Sequence, residues 1–441
     1  MLQSGGSMSV SRYRVAAAVA GLALAGPALA TNGYVPLGHS AKERGMGGAT
    51  TALALDSIVA ATNPAGIAFT GDRIDIGTEV FSPRREYTVS GPPSGPTEVP
   101  GVHFPLQPGT VRSRRNDFAV PNVGWSHRVD ARDSVAVTVY GHGGMNTSYP
   151  GFASSTCPPG SPGGTFCAGP TGVDLSQLFI TPTWARRFGS GGRWAVGIAP
   201  IVAYQRFEAK GVGSFAGFSS DPRHLSDNGH DSSWGWGGRI GVQGEIAPSL
   251  RLGASWRSRV HMGRFHDYSG LFAGHGSFDI PPSANVGLAW NATDTVLLAG
   301  EAQRIWYSRI RSVGNPLLPN LQQSKLGDPD GAGFGWRDMT VYKAGLEWQA
   351  GREWIWRAGV DRTTQPIPRS EVLFNILAPG VQEWHYTAGF TRRFEGLGEL
   401  SASAMYSPQK TVRGVNPLDT NQTIALKMHQ YALTLDWAWT F

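Results

Sequence analysis

The last eleven residues, YALTLDWAWTF (431–441), constrain this chain more than any other stretch. Tyr431, Leu433, Leu435, Trp437, Trp439 and Phe441 fall on one face of an extended strand. Ala432, Thr434, Asp436, Ala438 and Thr440 fall on the other, because successive side chains of a strand point to opposite sides. Apolar-outward, polar-inward alternation with aromatics towards one end is the signature of a strand that crosses a membrane in a β-barrel. An amphipathic edge strand of a soluble sheet would show the same face, so the reading stands only if the rest of the chain repeats it.

The repetition is there. From Gly71 onward about fourteen segments alternate over the ~9–11 residues that a tilted spanning strand needs. Tyr342, Ala344, Leu346 and Trp348 oppose Lys343, Gly345, Glu347 and Gln349; Trp354, Trp356, Ala358 and Val360 oppose Ile355, Arg357, Gly359 and Asp361. The connections alternate as well. Those after even-numbered segments are tight (129–133, 189–193, 247–249, 291–294, 350–352, 395–398), and those after odd-numbered ones are long and rich in Gly and Pro (91–115, 147–176, 209–233, 310–335). Short periplasmic turns and long extracellular loops are the habit of bacterial outer-membrane barrels. The expected fold is all-β, a 14-stranded antiparallel transmembrane β-barrel over 71–441. The 59 Gly and 30 Pro among 441 residues suit its many turns. A mean hydropathy of -0.20 excludes a helical membrane protein but not a barrel, where only alternate residues meet lipid. The net charge of +6 favours anionic partners; with no basic run interleaved with aromatics, an anionic solute or lipid fits better than nucleic acid.

Residues 1–30 read as a signal peptide: Arg12 and Arg14, an apolar run from Val15 to Ala25, then Ala28-Leu29-Ala30 before the cleavage point. Residues 31–70 have another texture. Ser40 and Glu43 form a capping-box pattern, GMGGA follows at 45–49, and Asn63-Pro64-Ala65-Gly66 makes a turn. After Arg44 the only charge before Asp72 is Asp56. Such a stretch is either an exposed tail or, given so little charge, a small helical hatch plugging the lumen, and the hatch is the expectation.

Cys157 and Cys167 lie in one long loop, and in an exported chain they read as a disulfide. No metal-ligand spacing, nucleophile elbow or phosphate loop occurs, so neither cofactor nor catalytic residue is expected. Phe215, Phe218, Leu271 and Phe272 are apolar residues in neighbouring long loops. They line a capture groove for an apolar solute or bury a small core of their own. Lys343 and Arg357 fall on lumen faces of adjacent strands, where they either hold an anionic head group or pair with Glu347 and Asp361.

The start TNGY, then RGMGGATTALALDSIVAATNPAGIAF, Val120-Pro121-Asn122, Gly144-Met145-Asn146-Thr147, the stretch from Trp336-Arg337-Asp338 to Pro366, and the terminal Phe441 together resemble the FadL/TodX family of outer-membrane transporters. The resemblance implies a monomeric barrel closed by an N-terminal hatch. It implies passive uptake of a hydrophobic small molecule, either a long-chain fatty acid or an aromatic hydrocarbon, with lateral exit beside a kinked third strand into outer-membrane lipid and lipopolysaccharide. Phe441 would be its signal to the barrel-assembly machinery. Gly141, Gly143 and Gly144 weaken the third strand and, under this resemblance, frame the exit, with Asn63, Pro64, Ala65 and Gly66 packed against it. Otherwise the three glycines only relieve crowding at the rim. A non-specific porin is the alternative, and a surface adhesin or structural barrel a third reading.

Overall fold

The computed structural model describes residues 32–94 and 104–441, so the expected signal peptide lies outside the described residues. Fourteen wall strands follow one another: β1 (Arg73–Ser90), β2 (Phe118–Arg128), β3 (Asp133–Asn146), β4 (Gly172–Phe188), β5 (Trp194–Lys210), β6 (Asp231–Ala247), β7 (Leu250–Arg257), β8 (Ser283–Asn291), β9 (Val296–Ile305), β10 (Met339–Ala350), β11 (Trp354–Thr363), β12 (Trp384–Phe394), β13 (Gly398–Asn416) and β14 (Asp419–Thr440). Each pairs antiparallel with its sequence neighbour. Pairing of β14 with β1, from Arg73 opposite Thr440 to Ser90 opposite Thr423, closes the barrel and leaves the sheet no long edge. Two short pieces add to the rim: Gly109–Arg112 against β1, and His261–Met262 against β6.

The alternation that defines the strands also decides what they face. Val80, Leu346, Leu433 and Leu435 are exposed on the outside, with Trp125, Trp290, Trp348 and Trp439 towards one end and Trp234, Trp236, Tyr386 and Tyr431 towards the other. Asp75, Glu79, Gln205, Glu301, Lys343, Arg357 and Asp436 are buried inside. Polar-in, apolar-out is the inverse of a soluble core and fits a lipid solvent. Six tight turns, Arg73 and Phe441 share one end; the long connections, and the short turn that joins β13 to β14, share the other.

In the last hairpin the alternating segments, Glu399–Ser407 and Met428–Phe441, are shorter than the strands that carry them. Here β13 and β14 run on to a tight turn at 417–418. Outward positions in this extension carry Arg413 and Lys427, so the apolar alternation stops while the backbone ladder continues. Apolar patterning marks the height of the lipid band, not the end of the strand.

The N-terminal segment, residues 32–72, fills the lumen. A short helix, Ala41–Gly45, is capped by Ser40, whose hydroxyl accepts from the Glu43 N–H, and 3-10 turns follow at Ser57–Ala61 and Pro64–Phe69. The wall holds the segment from several sides. Lys42 meets Glu399 at 2.6 Å and Arg44 meets Glu79 at 2.5 Å. Glu301 accepts the N–H groups of Thr50 and Thr51, each at 3.0 Å. Arg239 donates to the Thr62 carbonyl at 2.7 Å. Where its backbone touches the wall, the wall has glycine: a Cβ on Gly359 would lie 2.1 Å from the Gly47 nitrogen, and one on Gly253 2.0 Å from the Thr51 oxygen.

Candidate functional site

The ladder between β2 and β3 breaks off part-way up the wall. β2 and β3 pair from Arg128 opposite Ser134 up to Asn122 opposite Tyr140, and there the ladder stops. Above it, Phe118–Pro121 pairs only with β1, while 141–146 pairs only with β4, through a bulge that skips His142. Burial alternates along β3 as far as Tyr140 and is then continuous to Asn146, so the strand bends inward and both its faces are covered. The three glycines weaken the strand at this point, and the bulge supplies the bend. Beyond the gap the rim closes again: Arg114 N–H donates to Ser148 at 2.8 Å, and Arg115 meets Asp174 at 2.5 Å. The result is a window bounded on four sides.

Behind the window lies an inner pocket of about 350 Å³, lined by Phe81, Pro83 and Arg85 of β1, Gly144–Asn146 of β3, Met428, Gly33 and Trp336. Above it, under the long loops, is a cavity of about 520 Å³ lined by Phe207, Phe215, Leu271, Phe272, Phe334 and Phe374, with Ser312 as its only side-chain hydroxyl or amide. A partition separates them: Phe334 and Leu377 face the outer cavity, Trp336 and Ala378 the inner pocket. Asn375 ties the two layers together, accepting from the Trp336 indole at 2.6 Å and donating to the Phe334 carbonyl at 2.7 Å.

The family model described as outer membrane protein transport protein (OMPP1/FadL/TodX) matches residues 21–432. The chain belongs to this family. It is an outer-membrane transport protein. Among solved structures, the toluene transporter TodX of P. putida aligns at 15% identity over 92% of this chain and 99% of its own, with a TM-score of 0.66. A Pseudomonas aeruginosa FadL homologue gives 14%, 93%, 100% and 0.66, and the Ralstonia pickettii toluene transporter TbuX gives 16%, 92%, 99% and 0.62. At such identities the likeness is one of fold. No curated protein sequence matches the chain.

In this FadL/TodX-family barrel the residues singled out in the sequence are placed as follows. Phe215, Leu271 and Phe272 line the outer cavity, and Phe218 packs half-buried beside them. Cys157 and Cys167 are joined in a disulfide next to Phe166, whose ring lies 5.4 Å from that of Phe215. Lys343 and Arg357 face the lumen but reach neither cavity. Lys343 pairs with Glu301 at 2.9 Å and donates to the Gly48 carbonyl; Arg357 pairs with Glu347 at 2.8 Å and donates to Thr391. A buried charge takes the nearest counter-charge, and these two have theirs. Asp361, the other expected partner, pairs with His385.

The Asn63–Gly66 turn needs a second correction, because it packs elsewhere than the bend. Pro64 stands against Gly197 of β5 and Gly241 of β6, held by the Asn63 amide donating to Val242 at 3.0 Å and Thr51 at 2.7 Å. Residues 33–39 meet the bend instead: Tyr34 abuts Gly143, and the His39 ring lies 4.4 Å from that of Tyr140. Burial holds the His39 imidazole well below its ordinary range. It pushes the neighbouring Glu43 carboxyl up to about 8, helped by the charge of Asp56.

Sequence reasoning missed Arg85. Its guanidinium lines the inner pocket, lies 5.6 Å over the Phe118 ring and donates to the Arg115 carbonyl, yet forms no ion pair among the described residues. Its signal was present as an inward position on β1, two residues from Pro83.

Proposed function

We propose that this transporter takes up hydrophobic compounds by passive diffusion. Solute is caught in the outer cavity, passes the Trp336 partition into the inner pocket, and leaves sideways through the window between β2 and β3. The observation that carries the reading is the position of the inner pocket directly behind segment 141–146, which has no pairing with β2. A lateral route moves an apolar chain from pocket to lipid without crossing water, keeping roughly 0.8 kcal/mol per CH₂ buried throughout. The N-terminal segment acts as the hatch, with residues 33–39 closing the inner side of the window. The protein works as a monomer, and Phe441, exposed at the end of β14, serves as its insertion signal.

Arg85 refines the solute class. A buried cation without a carboxylate suits a solute that brings one, so long-chain fatty acids fit the inner pocket better than neutral aromatics. Uptake of labelled oleate and toluene by cells carrying Arg85→Gln tests this. Oleate uptake falls about tenfold, the scale of ~1.4 kcal/mol for a charged hydrogen bond, while toluene is unaffected. Replacing Phe215, Phe218, Leu271 and Phe272 by Ser slows both at limiting solute. Entry of small sugars as fast as oleate would overturn the reading in favour of a porin.

A further inference from the structure

On the outward face of β14 the chemistry changes abruptly above Tyr431. Leu435, Leu433 and Tyr431 meet lipid, and Tyr431 stacks on Tyr406 at 5.4 Å between ring centres. The next two outward positions are His429 and Lys427. The register extends this into a patch. His429 stands opposite Arg84, Lys427 stands opposite Glu86, and Glu86 stands opposite Arg112 of the short rim strand. Arg413 lies one row further out on β13. A cleft of about 800 Å³ runs between them, lined by Arg84, Glu86, Arg112, Gln409, Lys427 and His429.

Internal pairing does not use up this charge. Glu86 serves both Lys427, at 2.5 Å, and Arg112, at 2.9 Å, and Asp117 serves Arg84 at 3.4 Å. Three fixed cations thus share two carboxylates, and Arg413 has none among the described residues. The Arg112 side chain is 81% exposed, and only its Nε has a partner among the described residues. The patch lies at the end away from Phe441, just outside the aromatic row. In an outer membrane that level belongs to the outer leaflet, whose glycolipid carries phosphate on its sugar head group. Guanidinium forks match phosphate in shape as well as charge.

We propose that the outer wall formed by β13, β14, β1 and the Gly109–Arg112 strand binds the phosphorylated head group of an outer-leaflet glycolipid. Arg112, Lys427, Arg84 and Arg413 supply the charge, and Tyr431 and Tyr406 lie beneath them beside the acyl chains. The inference rests on residence in the outer membrane and not on which solute the lumen carries.

Purified protein in uncharged detergent is offered bisphosphorylated lipid A, the same lipid stripped of phosphate, or inorganic phosphate, and retention is read by native mass spectrometry. Wild type retains the phosphorylated lipid at least roughly tenfold better than the stripped one, and less so as salt rises from about 0.05 to 0.5 M. Arg84→Gln, Arg112→Gln, Arg413→Gln and Lys427→Gln together abolish that preference. Arg132→Gln with Arg352→Gln, at the opposite rim, leaves it intact. Heat-modifiable gel mobility confirms that each variant is folded. Equal retention of both lipids by wild type overturns the proposal, and so does preference surviving in the folded fourfold variant. Displacement of the lipid by inorganic phosphate at equal concentration overturns it in favour of a small-anion site.

Discussion

Gly143→Val is the sharpest perturbation of the window. A Cβ at this position would lie 2.7 Å from the Tyr34 carbonyl oxygen and 2.8 Å from Gln177 Oε1, where ordinary contact begins near 3.4 Å. Gln177 Oε1 accepts no hydrogen bond and can swing aside, but the Tyr34 carbonyl is backbone, so the segment that carries it must shift to admit the side chain. Overpacking of this size costs about 1–3 kcal/mol, and moving residues 32–37 off the bend relieves it. A bias of about 1–3 kcal/mol changes the open-to-closed ratio by roughly 5- to 150-fold. Hydrogen exchange across 32–37 should therefore quicken, and uptake of dilute labelled oleate should rise. Gly300→Val is the control, since that glycine faces outward with no atom within 4 Å of the added Cβ, and it should change neither measurement. A folded Gly143→Val protein with wild-type exchange and uptake refutes the assignment of 33–39 as the inner closure.

Three further outcomes are expected. Asn375→Ala removes the hydrogen bonds that tie Trp336 to Phe334, loosening the partition by about 1–3 kcal/mol; transfer of a fluorescent fatty acid between outer cavity and inner pocket should quicken in stopped flow. Cys157→Ser with Cys167→Ser frees the ring that places Phe166 beside Phe215, a loss of about 2–3 kcal/mol of loop order; affinity for dilute solute should fall and wild type should show the same fall under reductant, with barrel melting unchanged. The Glu43 carboxyl, raised from 4.5 to about 8, makes the hatch most secure at low pH. Its contribution is fully present below about 4.5 and is lost as pH rises through about 8, at up to ~1.4 kcal/mol per unit. Exchange of residues 39–56 should quicken accordingly, and Glu43→Gln should flatten that dependence.

The barrel was legible in the sequence because lipid imposes a rule with period two. Tyr342 to Trp348 and Tyr431 to Trp439 declare their outward face residue by residue, and the alternation of turn lengths fixes direction. The strand ends of the last hairpin were not legible, since Arg413 and Lys427 leave the lipid band while their backbones stay paired. The window was half legible. Three glycines in four residues marked the bend, yet which hatch residue meets it depends on where Asn63 finds its carbonyl acceptors, and Val242 and Thr51 are 179 and 12 positions away in the chain. The inward position of Arg85 was legible, but its lack of an ion-pair partner was not. On an inward strand position, a cation with a partner and one without read identically.

The same pairing logic weighs against flow straight down the lumen. Lys42 with Glu399, Arg44 with Glu79 and Lys343 with Glu301 are buried ion pairs, two of them joining hatch to wall. Removing the hatch parts Lys42 and Arg44 from their acids; Glu399 keeps Arg73 and Arg393, but buried Glu79 is left without a counter-charge, at a cost of about 3–5 kcal/mol. Opening the window needs neither separation. It moves Tyr34, held by its N–H to the Tyr307 hydroxyl at 3.2 Å, and the ring contacts around Trp336. A hydrogen bond of this kind contributes about 0.5–1.5 kcal/mol net. The side route therefore has the lower barrier by several kcal/mol, and Lys42→Met, which weakens the downward barrier alone, should raise ion conductance while leaving oleate uptake unchanged.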